Sequence, residues 1–534
     1  MRMTRTLTAL AAAGLVSVAV GLAPGAAQAK TLKWAFQGDA QSLDPYILNE
    51  TFTLGFLGNL YEGLVRRDKD LNIIPGLAES WEIPEPTRWR FHLRKGVKFH
   101  NGNAFTADDV VFSATRVRAD GSDLKVRLAD DIQVVKVDDY TVDFITPKPN
   151  PILNSEWDTW YIMDKEWAEE HNAVQPSSVT EGKDNYAAFN ENGTGAFRIK
   201  ERQTDVKTVM VPNETWWDAA NVVHNLTEAV FTPIGSDATR VAALLSGEVD
   251  LMYPVPVQDM KRIDANPGTS VLTGPELRTI FLGMDQFRDE LLHSNIKGKN
   301  PLKDKRVRQA MFQAIDIEAI KKKVMRGLSN PSALMVGPGI NGFTADIKRL
   351  PYDPDKSKAL LKDEGYGDGF EVGMDCPNNR YVNDEAICQA VVAMLAKVGV
   401  KVNLLAQPKA QYFKKVLRPS LDTSFYLLGW TPGSFDSHNP LVHLLGCYTE
   451  TSGKGKFNLG GYCNPNVDAL TDKIAVETDQ AKRNAMITEA FKMTVDDVAY
   501  IPLHQQGLAW GKKDTVSVEQ RADNQFMIYR TIVK

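Results

Sequence analysis

The segment from Cys376 to Leu404 places a single arginine, Arg380, in a loop directly before a predicted helix. Apolar residues recur at helical spacing in that helix, at Ile387, Val391, Met394, Leu395 and Val398. Asn383 or Asp384 would cap its start. A guanidinium beside the free N–H groups of a helix N-terminus is suited to binding a carboxylate. The alternative is a surface arginine paired with an acidic residue at the helix start.

The four cysteines lie within this segment or after it, at Cys376, Cys388, Cys447 and Cys463. Pairing each cysteine with its nearer neighbour closes two short loops, each worth roughly 3 kcal/mol in the chain-entropy model. The first disulfide would tie the Arg380 loop to its own helix. A zinc site is the alternative, but the spacings contain no CxxC pair. We therefore expect two disulfides, no metal and no cofactor.

Length and composition indicate a soluble protein of several lobes. A chain of 534 residues exceeds what one hydrophobic core usually supports. Its 43% apolar and 24% charged residues are ordinary for a globular protein. The net charge of −5 gives no reason to expect binding to nucleic acid or to an anionic membrane.

The first 29 residues have the features of a secretory signal peptide. Their features are Arg2 and Arg5, an apolar run from Leu7 to Leu22, and the small-residue sequence Ala27-Gln28-Ala29. A membrane anchor is the alternative, but Pro24 and Gly25 interrupt the segment. Cleavage after Ala29 would leave Lys30 as the first residue of a periplasmic protein. No cysteine follows that site to carry a lipid, and no later stretch reaches the ~18 to 20 apolar residues that span a bilayer.

The pattern of elements favours an α/β protein. Helical periodicity followed by alternating strands recurs near residues 236–252, 304–324, 355–372 and 386–404. A helix is predicted over Phe52 to Leu64, and Thr106 would cap another with Asp108 and Asp109 in its first turn. The stretch from residue 77 onward is richer in strands.

Several segments resemble the family 5 extracellular solute-binding proteins, the periplasmic peptide- and nickel-binding components of ABC importers. The longest is LAESWEIPEPTRWRFHLRKGVKFHNGNAFTADDVVFSATRV, from Leu77 to Val117. The others, in order, are LDPY (Leu43 to Tyr46), NLYEGLV (Asn59 to Val65), GTGAFRI (Gly193 to Ile199), ATRVAALLSGEVDLMYPVP (Ala238 to Pro256) and PLKDKRVRQAMFQAID (Pro301 to Asp316). Together they extend across nearly the whole mature chain.

The resemblance implies an α/β, two-lobed periplasmic-binding-protein fold with a hinge and an additional β-rich domain. Lobe I would comprise 30–62, 200–285 and 505–534. The additional domain would span 63–199, and lobe II would span 286–504.

The resemblance also implies ligand-binding residues. Arg380 falls where dipeptide-binding members carry an arginine that pairs with the ligand carboxylate. Trp430 follows an apolar strand and would contribute to the ligand pocket; the alternative is a tryptophan that fills the core of its own lobe. Asn49 and Thr51 lie where the first lobe offers an extended edge to the ligand backbone.

One position departs from the family pattern. Family members carry an acidic residue three positions after this tryptophan, which binds the α-amino group of peptides, whereas this chain has Gly433. Either Asp436 takes over with a changed loop, or the ligand lacks a free α-amino group.

The expected function is that of the periplasmic substrate-binding protein of an ABC transporter. It would capture a peptide or peptide-like solute by lobe closure, act as a monomer, and deliver the solute to permease subunits driven by cytoplasmic ATPases. The sequence contains no GxSxG, HExxH or Walker motif and no GxGxxG that follows a strand, so we expect no enzymatic activity. One alternative is a binder of a non-peptide ligand on the same fold, with a metal chelate, haem, or an opine- or sugar-like compound as the ligand. The other alternative is a periplasmic hydrolase.

Overall fold

One large sheet organises most of the chain. The computed structural model describes residues 30–177, 184–450 and 453–534, so the predicted signal peptide lies outside the described residues. The strands are Thr31–Phe36 (β1), Val65–Arg67 (β2), Ile73–Pro75 (β3), Ala78–Glu85 (β4), Arg88–Leu93 (β5), Gln133–Asp138 (β6), Thr141–Ile145 (β7), Phe197–Gln203 (β8), Lys207–Pro212 (β9), Glu228–Pro233 (β10), Leu251–Tyr253 (β11), Thr269–Met284 (β12), Ser329–Pro331 (β13), Phe370–Pro377 (β14), Val400–Gln407 (β15), Phe425–Trp430 (β16), Ile501–Lys513 (β17), Val516–Ser517 (β18) and Ile532–Val533 (β19).

Helices connect these strands and cover the sheet. They are Thr51–Leu57 (α1), Ala107–Arg118 (α2), Lys165–Glu170 (α3), Asp237–Ser246 (α4), Met260–Asp264 (α5), Lys305–Gln313 (α6), Ile317–Ala319 (α7), Pro354–Asp363 (α8), Asp384–Ala396 (α9), Lys409–Val416 (α10), His438–His443 (α11), Pro465–Val476 (α12) and Gln480–Asp496 (α13). Within the described ranges, no helix has the length and apolar character needed to cross a membrane.

The large sheet has the order β15-β14-β16-β12-β17-β11-β1-β10-β9-β8, with β13 beside β17. Its two long central strands, β12 and β17, pair antiparallel along most of their length. β17 pairs with β11 of the first half of the chain, and β12 pairs with β16 of the later half. Their pairing is interrupted between Pro275 and Thr279, where fewer ladder hydrogen bonds hold the backbone. These two strands therefore join the two halves of the molecule.

A second, antiparallel sheet of order β4-β5-β7-β6 supports the strand prediction for the stretch after residue 77. In β5, buried and partly exposed residues alternate along the strand, as expected for a sheet with one packed face. The predicted cap of α2 is also confirmed, because Thr106 and Asp109 form a reciprocal capping box.

The predicted helix from Phe52 to Leu64 is wrong in its second half. The helix ends at Leu57. The carbonyl of Leu60 accepts a hydrogen bond from the Gly195 N–H (2.8 Å), and that of Asn59 accepts one from the Phe197 N–H (3.0 Å). These carbonyls pair with a segment more than 130 residues away, so helical periodicity alone did not reveal where the helix stops.

Buried apolar residues form separate cores on the two sides of the sheet's central strands. One core extends from Leu32 to Ile528 and includes most large side chains of the first 230 residues. Two others belong to the later half, one around Cys376, Tyr381 and Val391, the other around Tyr426 and Phe491. The domain bounds given above remain a prediction, since the first core includes residues of both lobe I and the additional domain.

Candidate functional site

The Arg380 loop lies at the carboxyl end of β14. This strand pairs in parallel with β15 and with β16, so the loops that follow these strands meet at one edge of the sheet. The disulfide Cys376–Cys388 joins the end of β14 to α9, which confirms the predicted pairing. The second predicted disulfide, Cys447–Cys463, is also present. The first of these bridges holds the Arg380 loop against its helix.

The start of α9 is arranged differently from the prediction. Asn383 is the residue before the helix, but it adopts a left-handed conformation and its side chain does not cap. The Asp384 carboxylate instead accepts hydrogen bonds from the backbone N–H groups of Arg380 (2.9 Å) and Tyr381 (3.0 Å). Burial raises the pKa of Asp384, and these bonds oppose the rise. The loop N–H groups of Arg380 and Tyr381 are therefore taken up by Asp384, and the candidate group for an anion in this loop is the Arg380 guanidinium.

The Arg380 side chain is exposed and, among the described residues, has no carboxylate within ion-pair distance. The alternative of a surface pair at the helix start is thus not what the structure shows. Its guanidinium carbon lies 5.2 Å from the centre of the Tyr381 ring. Partial burial lowers the pKa of Arg380, and the positive charge of Arg278 lowers it further. Arg380 is a cation that gains by acquiring an anionic partner.

Arg278 is a second guanidinium in this site that the sequence did not reveal. Its guanidinium carbon lies 5.8 Å from the same Tyr381 ring, and its Nε lies 3.2 Å from Oε1 of Glu276. Burial lowers the pKa of Arg278, but Glu276, Tyr381 and Glu50 together outweigh it, so the pKa of Arg278 is raised. Two arginines thus flank one ring, and Glu276 neutralises one of them.

A short chain of hydrogen bonds connects this pair to the Arg380 loop. The Gln506 side chain on β17 donates to the second oxygen of Glu276, and the Val382 N–H donates to Gln506 Oε1 (3.1 Å). Glu276 and Arg278 belong to the interrupted part of β12. The candidate site therefore lies where the two long joining strands lose their regular pairing.

Glu50 adds a negative charge from the other side of the cleft. Its carboxylate caps α1 by accepting from the N–H groups of Phe52 (3.1 Å) and Thr53 (2.9 Å). The charge of Glu50 acts to raise the pKa of Arg278 and, for Arg380, opposes the overall lowering of the pKa. In both cases its effect is smaller than those of burial and of the nearer charges. The first lobe thus places the Glu50 carboxylate, which is hydrogen-bonded to the backbone at the start of α1, on the side of the cleft that faces the two arginines.

Trp430 lies at the end of β16, opposite Thr279 on β12. It is half-buried, and its Nε1 donates to Asn439 Oδ1 (2.8 Å). The ring centre lies 4.9 Å from that of Phe457. The Tyr381 ring of the Arg380 loop packs against Gly429, the residue before Trp430, so closely that a Cβ at Gly429 would lie 2.7 Å from the ring. The structure therefore brings Trp430 and Arg380 to neighbouring places, with part of the tryptophan packed on its own lobe.

Asp436 does not reach the cleft. It is 2% exposed, and Arg483 holds both its oxygens at 2.7 Å. Asn341 Nδ2 (2.7 Å) and the His438 N–H (2.8 Å) complete its hydrogen bonds. This carboxylate is committed to the interior of its lobe, so the placement weighs against Asp436 as a partner for a ligand amine.

The space in front of Gly433 is filled by an ion pair from the opposite side of the cleft. A Cβ at Gly433 would lie 3.2 Å from Glu156 Oε1 and 3.3 Å from Arg127 Nη1. Arg127 and Glu156 are joined at 2.6 Å, and Arg127 Nη2 also donates to Asn49 Oδ1 (3.1 Å). Asn49 is thus engaged with this pair. Thr51 begins α1, a few residues away.

The two sides of the cleft also touch beyond Gly433. The Arg67 guanidinium lies 4.0 Å from the centre of the Phe435 ring. Leu71 packs within a core formed mainly by lobe II residues. The described arrangement is therefore one in which residues of the predicted additional domain contact the loop after Trp430.

The family model for bacterial extracellular solute-binding proteins, family 5 Middle, matches residues 72–452, which is more than half of the chain. The chain therefore belongs to the family 5 bacterial extracellular solute-binding proteins, a family of binding proteins.

Individual relatives agree with this assignment. The dipeptide-binding protein of Escherichia coli (strain K12) is 29% identical over 521 residues, which cover 92% of each chain. Heme-binding protein A of Haemophilus influenzae is 28% identical over 477 residues, or 84% of this chain and 82% of that protein.

Solved structures establish the fold. The ABC transporter substrate-binding protein CtaP from Listeria monocytogenes matches with a TM-score of 0.81 at 21% identity, over 95% of this chain and 99% of that one. A dipeptide-binding protein from Pseudoalteromonas sp. SM9913, in complex with Met-Leu, matches with a TM-score of 0.76 at 22% identity, over 95% and 100%. The predicted α/β periplasmic-binding-protein fold is confirmed.

Proposed function

We propose that this protein is the periplasmic substrate-binding component of an ABC transporter for a peptide or peptide-like solute with a free carboxylate. Arg380 would bind that carboxylate, with Arg278 adding to the positive potential. Trp430 would form part of the pocket wall, and Asn49 and Thr51 would border it from lobe I. The solute would then be delivered to membrane permease subunits coupled to cytoplasmic ATPases.

The observation that carries this proposal is the exposed Arg380 guanidinium beside the interrupted joining strands. A cation held by a disulfide-anchored loop and left without a carboxylate partner in the described chain is prepared for an anionic ligand. Its neighbours Glu276 and Gln506 lie on the two strands about which the lobes would move. Ligand binding and lobe closure would therefore involve the same residues, and closure is favoured to the extent that the ligand prefers the closed state.

The names of the relatives support a peptide as the first ligand to test. Relatives include proteins named for dipeptides, glutathione and haem. Since the described site offers a pair of arginines, carboxylate recognition is the chemistry it supports best. We infer binding without catalysis.

Export is part of the proposal. The mature protein would begin at Lys30, act as a monomer and form its two disulfides in the oxidising periplasm. N-terminal sequencing of protein from a periplasmic extract tests this. A first residue other than Lys30, or recovery in the cytoplasm with free thiols, would contradict it.

The function is tested by native mass spectrometry of the purified protein, followed by a thermal-shift screen of dipeptides, tripeptides and their C-terminal amides. We expect a co-purified solute or a rise in melting temperature with free-acid peptides. Stabilisation by amides as large as that by acids, or by haem alone, would contradict the proposal.

A further inference from the structure

We infer that the Arg127–Glu156 pair makes this site select solutes without a free α-ammonium group, a specificity that rests on the proposed function above. The relevant classes are N-acylated or otherwise N-blocked peptides and carboxylates without an amine. The inference comes from the charged groups that border the loop after Trp430.

Each carboxylate described beside that loop is already paired with an arginine of the protein. Glu156 binds Arg127 at 2.6 Å, and Asp436 binds Arg483 through both oxygens. On the opposite side of the site, Arg380 has no such partner among the residues that the structure describes. Beside the loop after Trp430, the carboxylates of Glu156 and Asp436 are therefore both already paired, and an incoming ammonium there would have to displace an internal guanidinium.

The Arg127–Glu156 pair is held in place by the core of its own domain. Glu156 is followed by Trp157, which is fully buried and donates from Nε1 to the Arg127 carbonyl (2.8 Å). Arg127 also reaches Asn49 on the first lobe. The side chains of Arg127 and Glu156 are 6% and 18% exposed, so water screens the pair little in the described arrangement.

Glu156 nevertheless acts across the cleft. Its Oε1 is the atom nearest to a Cβ at Gly433, and its charge is felt by His443 on α11. Burial lowers the pKa of His443, and Glu156 opposes that change. A carboxylate at this place would attract a ligand ammonium if it were free, and the Arg127 guanidinium supplies that positive charge instead.

Removing Arg127 should therefore create the missing amine site. The probes are alanyl-leucine and N-acetyl-alanyl-leucine, measured by isothermal titration calorimetry on the full mature protein. We expect the wild-type protein to bind the acetylated peptide at least as tightly. In Arg127→Met, the freed Glu156 should shift the preference about 10- to 100-fold toward the free-amine peptide.

Three further variants separate this effect from a structural one. Arg127→Lys retains the cation and should keep the wild-type preference, and Arg90→Met breaks an ion pair with Asp143 elsewhere in the same domain and should change nothing. Glu156→Gln leaves the Arg127 cation without its counter-charge, so the preference for the acetylated peptide should be kept or become larger. This variant also tests the inference if Arg127→Met does not fold.

The outcomes are distinct. An unchanged preference in folded Arg127→Met, or a shift of Glu156→Gln toward alanyl-leucine, overturns this inference and leaves the proposed function intact. Binding of neither peptide to any variant contradicts the proposed function, and the inference with it.

Discussion

Replacing Arg380 with alanine should weaken binding of a free-acid peptide while leaving the fold intact. The Arg380 side chain is exposed and makes no ion pair with the described residues, so its removal leaves no buried charge unpaired. The variant should therefore unfold at nearly the same temperature as the wild-type protein.

The expected loss of affinity follows from the partner that Arg380 lacks. A net charge-assisted hydrogen bond to a carboxylate is worth about 1.5–3 kcal/mol, which corresponds to about a 10- to 150-fold increase in Kd. Arg278 stays near the same ring and retains part of the positive potential, so the lower half of that range is expected. Arg380→Lys should recover part of the loss, because a point charge replaces a planar fork.

Calorimetry of the wild-type protein and of Arg380→Ala, each with a peptide acid and with its C-terminal amide, forms a double-mutant cycle. Amidation should weaken wild-type binding by about as much as Arg380→Ala does, and the two changes together should add little. Arg306→Ala, an exposed arginine on the same lobe paired with Asp363, is the matched control and should bind normally. Equal affinity of Arg380→Ala and wild type for the acid, or full additivity in the cycle, would refute the assignment.

Three other predictions concern stability. Asp436→Asn should lower the free energy of unfolding by about 3–5 kcal/mol, because it leaves the buried Arg483 unpaired. Urea denaturation measures this change. A large loss of ligand affinity at unchanged stability would instead make Asp436 a ligand contact. Removing Cys376–Cys388 by double serine substitution should cost roughly 3 kcal/mol and weaken peptide binding. Removing Cys447–Cys463 should cost a similar amount without affecting the Arg380 loop, so equal effects on affinity would contradict the tethering role. Burial and the charge of Arg349 lower the pKa of His504 in the folded protein to about 3. The unfolded chain therefore takes up a proton at His504 before the folded protein does, so the free energy of unfolding decreases as the pH falls below about 6.5. Between pH 7 and pH 5 the free energy of unfolding should decrease by about 2 kcal/mol because of His504. This decrease should be absent in His504→Leu and present in the control His92→Asn. A pH dependence of stability in His504→Leu equal to that of the wild type would contradict the prediction.

Local features of the site were predictable from the sequence. The helix over Asp384–Ala396, the strand after it and the loop that carries Arg380 all follow from apolar spacing within about 30 residues. The two disulfides follow from short loop lengths. The capping box of Thr106 and Asp109 is likewise a local pattern.

Partners that come together from distant parts of the chain were not predictable. Gln506 and Glu276 are 230 residues apart and meet because β12 and β17 run antiparallel side by side. Arg483 reaches Asp436 across 47 residues, and Arg127 reaches Glu156 across 29. No single-sequence pattern assigns these arginines to particular carboxylates, so the sequence shows neither that Asp436 is paired nor that Glu156 lies at the cleft.

The central claim, capture of a carboxylate solute by closure of two lobes, is tested most directly by small-angle X-ray scattering of the mature protein during titration with a bound peptide acid. We predict that the radius of gyration decreases as the site saturates, and that the C-terminal amide causes no such decrease at the same concentration. Saturation by the peptide acid in calorimetry, with a scattering profile identical to that of the same protein after removal of co-purified solute, would contradict the account.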